Sequence, residues 1–290
     1  NGLPNNSVRD IVEDKLGNIW IGTASGVVLI KPDGIMSVPD GLDNIDNEHV
    51  LAVALYCDTA GRIWLSTSKQ GGIYYYSEGR FRHYDVLDYL NDRYGTYTVS
   101  AIGQDDLGNL IFGISHNGVV MIKNGVENNP SVFKDIPQCL VNEIYLDRSS
   151  NLWFLSDRGV YLLRNGKISK YTSEMGLADN TINHILEDRE GNIWFATDHG
   201  GVEKLSLGKF NTFQLNVGVN AICEDLGGNV WVGTDDGILC YRNDEIVDSE
   251  LTRMTRGIRI RHVGLARNGD LLVSCYSKLG QSRKTKKGLV

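Results

Sequence analysis

GNIWIGT at residues 17–23 recurs as GRIWLST (61–67), GNLIFGI (108–114), SNLWFLS (150–156), GNIWFAT (191–197), GNVWVGT (228–234) and GDLLVSC (269–275). Taking the aromatic position as marker (Trp20, Trp64, Ile111, Trp153, Trp194, Trp231, Leu272), the spacings are 44, 47, 42, 41, 37 and 41 residues, with a mean of 42. All five Trp residues fall on that one position. A period of this length is the signature of a repeat architecture and takes precedence over any local motif.

Outward from the anchor, each unit reads as four short strands. In the first, SVRDIVED (7–14) is strand A, KLGN (15–18) turns into strand B, GVVLIK (26–31) is strand C and GIMSV (34–38) is strand D. The segments are rich in β-branched residues and bounded by Gly, Asn or Asp, which are strand and hairpin signals. No stretch of about 11 residues or more carries a helical period. Four strands per unit and seven units predict an all-β chain, a single seven-bladed β-propeller of four-stranded antiparallel blades. The units fall near 1–40, 41–84, 97–130, 136–172, 176–214, 217–250 and 257–290. Both faces of such a blade press on neighbours, which explains why strands A and B read as nearly continuous apolar runs. The last unit reaches only KGLV (287–290), so its blade is expected to be incomplete in an excised domain.

Six residues before the marker stand Asp14, Asp58, Asp105, Asp147, Asp188 and Asp225, with Ala266 the exception. Repetition at one turn position is what a structural requirement produces, so these acids are expected to accept hydrogen bonds from the A–B turn backbone. The Trp residues are expected between adjacent blades.

Composition bounds the rest. The 290 residues carry a net charge of -7, 41% hydrophobic residues and 33 Gly, a globular balance with no run of about 18 apolar residues. A negative chain has no broad attraction for nucleic acid, which is not an expected partner. Cys57, Cys139, Cys223, Cys240 and Cys275 show no C-x-x-C spacing, and most of them read as small buried hydrophobes, with a Cys223–Cys240 bridge left open. The six His lie in different units without paired ligand spacing, and neither a metal nor a cofactor is implied.

GLPNNSVRDIVEDKLGNIWIGTASGV (2–27) and GLADNTINHILEDREGNIWFATDHGGV (176–202) resemble the two-component regulator propeller repeat, whose pattern is Gly-Leu, a short Asn-rich loop, an apolar strand ending in Glu-Asp, a Gly-Asn turn, an aromatic, then Gly-Thr and a second Gly. The resemblance is strong in units one, five and six and weak in units three and seven. It implies the periplasmic sensor region of an inner-membrane hybrid histidine kinase that detects polysaccharide-derived oligosaccharides and regulates their utilisation genes. It further implies a second propeller and a β-sandwich in the same receptor, a homodimeric full-length protein, and kinase activity in modules outside this chain, which itself is read as no enzyme.

Propeller geometry places the D–A and B–C connections at one end of each blade and the A–B and C–D turns at the other. The A–B turns are short and uniform, whereas the B–C loops vary, and variable loops on a rigid scaffold are where binding residues gather. They supply Lys69, Gln70, His116, Asn117, Asp157, Arg158, Asp198, His199, Asp235 and Asp236 as ligand-binding candidates. The insertion DVLDYLNDRYGTY (85–97) adds Tyr94 and Tyr97, with Tyr89 and Arg93, as stacking platforms and a guanidinium fork for a carboxylate or sulfate. A basic cluster, Arg283, Lys284, Lys286 and Lys287, sits in the tail and reads as a solvated loop.

Two other classes remain open. A lyase or glycosidase would assemble an acid/base group from Asp198 with His199, or Asp235 with Asp236. A docking or structural propeller would offer a broad repeat surface to a protein partner without its own ligand.

Overall fold

A computed structural model describes residues 3–42, 51–68, 72–95, 97–206 and 209–276. Blade one is β1 (Val8–Glu13), β2 (Ile19–Thr23), β3 (Gly26–Ile30) and β4 (Met36–Ser37). Blade two is β5 (Ala52–Cys57), β6 (Ile63–Thr67), β7 (Ile73–Ser77) and β8 (Arg80–His83). After the short helix α1 (Leu90–Tyr94), blade three is β9 (Val99–Gln104), β10 (Leu110–Ile114), β11 (Gly118–Lys123) and β12 (Val126–Glu127). Blade four is β13 (Val141–Leu146), β14 (Leu152–Ser156), β15 (Gly159–Arg164) and β16 (Lys167–Tyr171). Blade five is β17 (Ile182–Glu187), β18 (Ile193–Thr197), β19 (Val202–Ser206) and β20 (Lys209–Phe213). Blade six is β21 (Val219–Glu224), β22 (Val230–Thr234), β23 (Gly237–Arg242) and β24 (Glu245–Ile246), followed by α2 (Glu250–Met254) and a last pair, β25 (Arg259–Leu265) and β26 (Leu271–Tyr276).

Every four-stranded sheet runs A-B-C-D in chain order, the meander of a β-propeller blade. The described residues hold six four-stranded blades, not seven: the seventh unit forms only the two-stranded sheet β25–β26, and residues 277–290 lie outside the described residues. The basic cluster 283–287 lies there too. Helical turns at 85–87, 90–94 and 250–254 are each too short to show a periodic pattern in sequence.

The expected A–B turn bonds are present, and they extend one step further than expected. Asp14 Oδ1 accepts the Leu16 and Asn18 backbone N–H groups at 2.8 and 3.0 Å, and its Oδ2 accepts the Trp20 indole N–H at 2.9 Å. The same carboxylate–indole bond joins Asp58 to Trp64, Asp147 to Trp153, Asp188 to Trp194 and Asp225 to Trp231. Each acid therefore ties its turn to the core aromatic of the next strand. At Asp14, Asp58, Asp188 and Asp225 burial alone would raise the carboxyl pKa, yet the indole and Asn or Arg hydrogen bonds, with those of the turn amides, win and hold all four below the ordinary range. The turns close on a left-handed residue, with φ between 81° and 86° at Gly17, Gly61, Gly108, Gly191, Gly228 and Gly269. Blade four puts Ser150 there at φ 61°.

Two compact units divide the chain, Asn1–Phe154 with Tyr161–Ser169, and Leu155–Val160 with Lys170–Val290. In the first, apolar clusters fill the space between successive blades. Trp20, Val27 and Leu29 pack with Ala52, Leu55 and Leu65. Trp64 and Ile73 pack with Val99, Ile102 and Phe112, and Leu87 and Leu90 of the insertion enter that same core. Ile111 and Val119 pack with Val141, Ile144 and Phe154. In the second unit, Trp194 and Val202 meet Val219, Ile222 and Val232, and Ala221 and Cys223 meet Ile260 and Val263. The marker aromatic thus sits between blades, as expected. Cys223 and Cys240 are both free thiols; each is in register with Trp231, so strand β22 stands between them and no bridge forms.

Candidate functional site in the second unit

The B–C loops are built by one local device. A Thr or Ser hydroxyl at the end of strand B donates to the carbonyl of the Gly that opens strand C: Thr197 to Gly201 at 2.7 Å, Thr234 to Gly237 at 2.8 Å and Ser156 to Gly159 at 2.8 Å. The residues between are pushed outward. Their first amide is tied to the D–A connection entering the same blade, Asp198 N–H to the Thr181 carbonyl and Asp235 N–H to the Gly218 carbonyl, each at 3.0 Å. Both loop families therefore lie at one end of the blade.

A β-bulge at the start of strand A adds a side chain to that end. The register skips one residue at Asn183, Asn220 and Arg261, re-aiming the bulged side chain. Asn183 Nδ2 donates to the Val219 carbonyl and Asn220 Nδ2 to the Ile260 carbonyl, each at 2.8 Å, and Asn220 Nδ2 also reaches Asp235 Oδ1 at 2.8 Å.

These devices bring three of the expected candidates, Asp198, His199 and Asp235, to one place. Asp179 Oδ2 accepts the His199 backbone N–H at 2.7 Å, and His199 Nδ1 lies 3.1 Å from Asp198 Oδ2 and 3.6 Å from Asp179 Oδ2. Asp235 Oδ1 meets Arg259 Nε at 2.6 Å. Gly218 stands between the two halves: a Cβ there would lie 2.9 Å from the Asp198 carbonyl, 3.3 Å from Asp235 Oδ2 and 3.7 Å from Asp198 Oδ1. Both carboxylates thus converge on a point that only Gly leaves open. The result is a polar surface with three carboxylates, an imidazole and a guanidinium, of which the Asp179 carboxylate is held by backbone N–H groups and Asp235 by the Asn220 and Arg259 side chains. Ionised carboxylates offer acceptors in fixed directions, suited to hydroxyl or amine donors. Among the described residues, no group of three or more His, Cys, Asp or Glu is arranged to hold a metal ion.

Asp236 is exposed beside this surface, and its carbonyl accepts the Gly257 N–H at 3.3 Å. Asp157 and Arg158 occupy the homologous loop of blade four, Arg158 exposed and its N–H held by Ser156 Oγ at 3.0 Å. In the first unit, His116 is exposed at φ 61°, and Asn117 Nδ2 donates to the Ser115 carbonyl at 3.0 Å, both serving as turn residues. Lys69 and Gln70 lie outside the described residues.

The insertion needs correction. Tyr97 is 2% exposed and donates its hydroxyl to the Leu87 carbonyl at 2.9 Å, which makes it a core residue and not a stacking platform. Arg93 spends its fork on Glu127, with Nη1 and Nη2 at 3.1 and 3.0 Å from the two carboxylate oxygens, while the Tyr89 hydroxyl donates to the same group. Tyr94 flanks the Arg93 guanidinium at 5.8 Å and packs on the core between blades two and three. The carboxylate this fork was expected to take from a ligand comes from the chain itself.

Asp179, Gly218, Asn220 and Arg259 were not singled out from sequence. A signal existed: Asn183 and Asn220 hold the same place in consecutive units, two residues into the strand after a D–A loop.

Against known proteins, residues 2–25 and 176–199 match the two component regulator propeller family. The chain carries repeats of that family, one opening blade one and one opening blade five. No curated protein matches. Among solved structures, the extracellular domain of a protein from B. thetaiotaomicron described as a hybrid two component system shares 18% identity at a TM-score of 0.74, covering 93% of this chain and 39% of that chain. A second such domain from the same organism shares 17% at 0.57, covering 95% and 45%. This chain therefore spans less than half of those extracellular domains. Virginiamycin B lyase from Staphylococcus aureus, in a catalytically inactive form with quinupristin, shares 15% at 0.73 and covers 94% of both chains. At these identities the likeness establishes the propeller fold. No helix among the described residues is long and apolar enough to cross a membrane.

Proposed function

We propose that this chain is the extracytoplasmic, ligand-sensing propeller of a hybrid two-component sensor histidine kinase, and that its ligand is a polysaccharide-derived oligosaccharide whose capture regulates utilisation genes. The repeats and the likeness to extracellular domains of two-component systems support the sensor role. The observation that carries it is the convergence of Asp198 and Asp235 on Gly218, with His199, Asn220 and Arg259 fixed around them. Carboxylates held open at a surface accept sugar hydroxyls, and the acidic balance of the three Asp side chains favours neutral over anionic saccharides. On this reading the receptor is periplasmic and homodimeric, with a second propeller and a β-sandwich beside this one, and the chain itself catalyses nothing. Ligand must bind two receptor arrangements unequally to signal, since equal affinity shifts no equilibrium.

Calorimetric titration of the chain with a panel of neutral and anionic oligosaccharides tests the reading. The expected result is binding of a neutral member, weakened about tenfold or more by Asp198→Ala or Asp235→Ala, as loss of a charged hydrogen-bond partner costs ~1.5–3 kcal/mol. Recovery of the sugar cleaved, with cleavage abolished by His199→Ala, would favour the lyase reading that the full-length likeness to virginiamycin B lyase raises.

A further inference from the structure

Behind this surface lies a carboxyl that binding does not use. Glu203, the second residue of β19, is wholly buried. It is in register with Phe195 of β18 and Thr212 of β20, so the strands on either side face it with no charge. Lys204 projects to the other face, over the Trp194 ring. Glu203 Oε1 accepts the Ala178 backbone N–H at 2.8 Å and faces the Thr212 hydroxyl at 3.3 Å, while Oε2 has no hydrogen-bond partner among the described residues.

Ala178 is the hinge between this group and the surface. Its Cβ stands 2.7 Å from where a Cβ on Gly200 would be, so the D–A loop rests directly on the B–C loop. The next residue is Asp179, which receives the His199 N–H. Of the charged groups near Glu203, Asp179 is the one that acts on it, and it acts against a second negative charge; Asp198 and His199 lie beyond it in the B–C loop.

We propose that Glu203 is a positioning residue for the Asp198–His199 half of the site: a neutral carboxyl that holds the Ala178–Asp179 segment, and whose ionisation sets it against Asp179 and loosens the His199 contact. The inference rests on the site proposed above. Glu203 accepts the N–H of Ala178 and Asp179 is the next residue, so a charge on the buried Glu203 is costly beside a second carboxylate, and Asp179, with the His199 N–H and the Thr181 N–H on its two oxygens, is the better solvated of the pair. Burial first, and Asp179 last, push the Glu203 pKa upward, while the Ala178 and Thr212 hydrogen bonds oppose them and lose. When the proton leaves to solvent, Glu203 keeps its Ala178 N–H bond, and the repulsion falls on the next side chain, Asp179, and through it on the His199 contact.

The experiment needs no ligand. Infrared difference spectroscopy through a pH titration of the chain should show a protonated-carboxyl C=O band that survives above the ordinary glutamate range of ~4.3 and is missing in Glu203→Gln. Amide exchange should show protection at His199 falling about tenfold as the band disappears in the native chain while Ala178 stays protected, and both holding flat in Glu203→Gln, which keeps the neutral acceptor. Asp179→Asn should move the band to lower pH. A band that titrates in the ordinary range, or the same protection trend in native chain and Glu203→Gln, overturns the proposal. A chain that shows all three effects yet binds no saccharide keeps Glu203 as a positioning residue and removes the sensing reading alone.

Discussion

The two ends of each blade obey opposite rules. At the A–B end, blades one, two, four, five and six repeat one Asp carboxylate, two turn amides and one indole N–H, with distances varying by a few tenths of an ångström. At the B–C end the hydroxyl-to-Gly brace recurs, but what it pushes outward changes from blade to blade: Asp157 and Arg158, then Asp198 and His199, then Asp235 and Asp236. A carboxylate that closes its own turn has no lone pair to spare. Asp198 and Asp235, anchored through their backbones, present side chains at the surface. Repetition marks where the chain satisfies itself, and variation on a repeated brace marks where it can satisfy something else.

The largest effect expected from breaking this contrast is in the core. Trp194→Ala should lose ~3–5 kcal/mol of stability in urea unfolding, since it removes an aromatic packed between blades five and six together with its bond to Asp188. A loss under ~1 kcal/mol would mean the indole is not the element joining turn to core. Asp58→Ala comes next: it strands the Trp64 N–H and the turn amides at a carboxylate with no exposed side-chain surface, at a cost of ~1–3 kcal/mol. Asp198→Ala, at the other end of a blade, should change stability by less than ~0.5 kcal/mol. Equal losses for Asp58→Ala and Asp198→Ala would erase the distinction between the ends.

Acid should separate them too. Asp14, Asp58, Asp188 and Asp225 have depressed folded-state pKa values, so their contribution is complete above 3.8 and is lost as pH falls from there through the folded values. Glu203 has the opposite sign: raised when folded, it favours the fold at low pH and loses that contribution as pH rises from 4.5 through its folded value. Stability measured against pH should therefore drop on acidification in the native chain, and Glu203→Gln should gain relative to it on the alkaline side. A stabilising change is expected at Ser150, the one non-Gly residue in its turn position: Ser150→Gly should stabilise blade four by up to ~1 kcal/mol, as a left-handed backbone no longer carries a Cβ.

Sequence shows the A–B end almost completely because its logic is local. Asp14, Gly17 and Trp20 lie within seven residues, and a period of about 42 repeats them, so the blade, its turn and its buried aromatic can all be read along the chain. The indole bond is the exception, visible only once turn and strand are folded together. The B–C end is legible in part. Asp198, His199 and Asp235 stand out as charged groups beside Gly, but Gly218, Asn220 and Arg259 reach them through the D–A connection and a bulge, neither of which has a sequence signal in a single unit. The insertion misleads for a related reason: Tyr97 and Arg93 look available until Leu87 and Glu127 are placed against them. Glu203 is invisible, since a Glu in a strand of alternating residues reads as solvated.

The central claim, that the variable end of blades five and six takes the ligand, is tested most directly by nuclear magnetic resonance titration of the labelled chain with the neutral oligosaccharide that binds best in calorimetry. The account predicts saturable shifts at the amides of Asp198, His199, Gly218, Gly237 and Arg259, with the turn amides of Leu16, Ala60 and Glu190 unmoved. Shifts confined to the A–B turns, or to the insertion around Arg93, would contradict it.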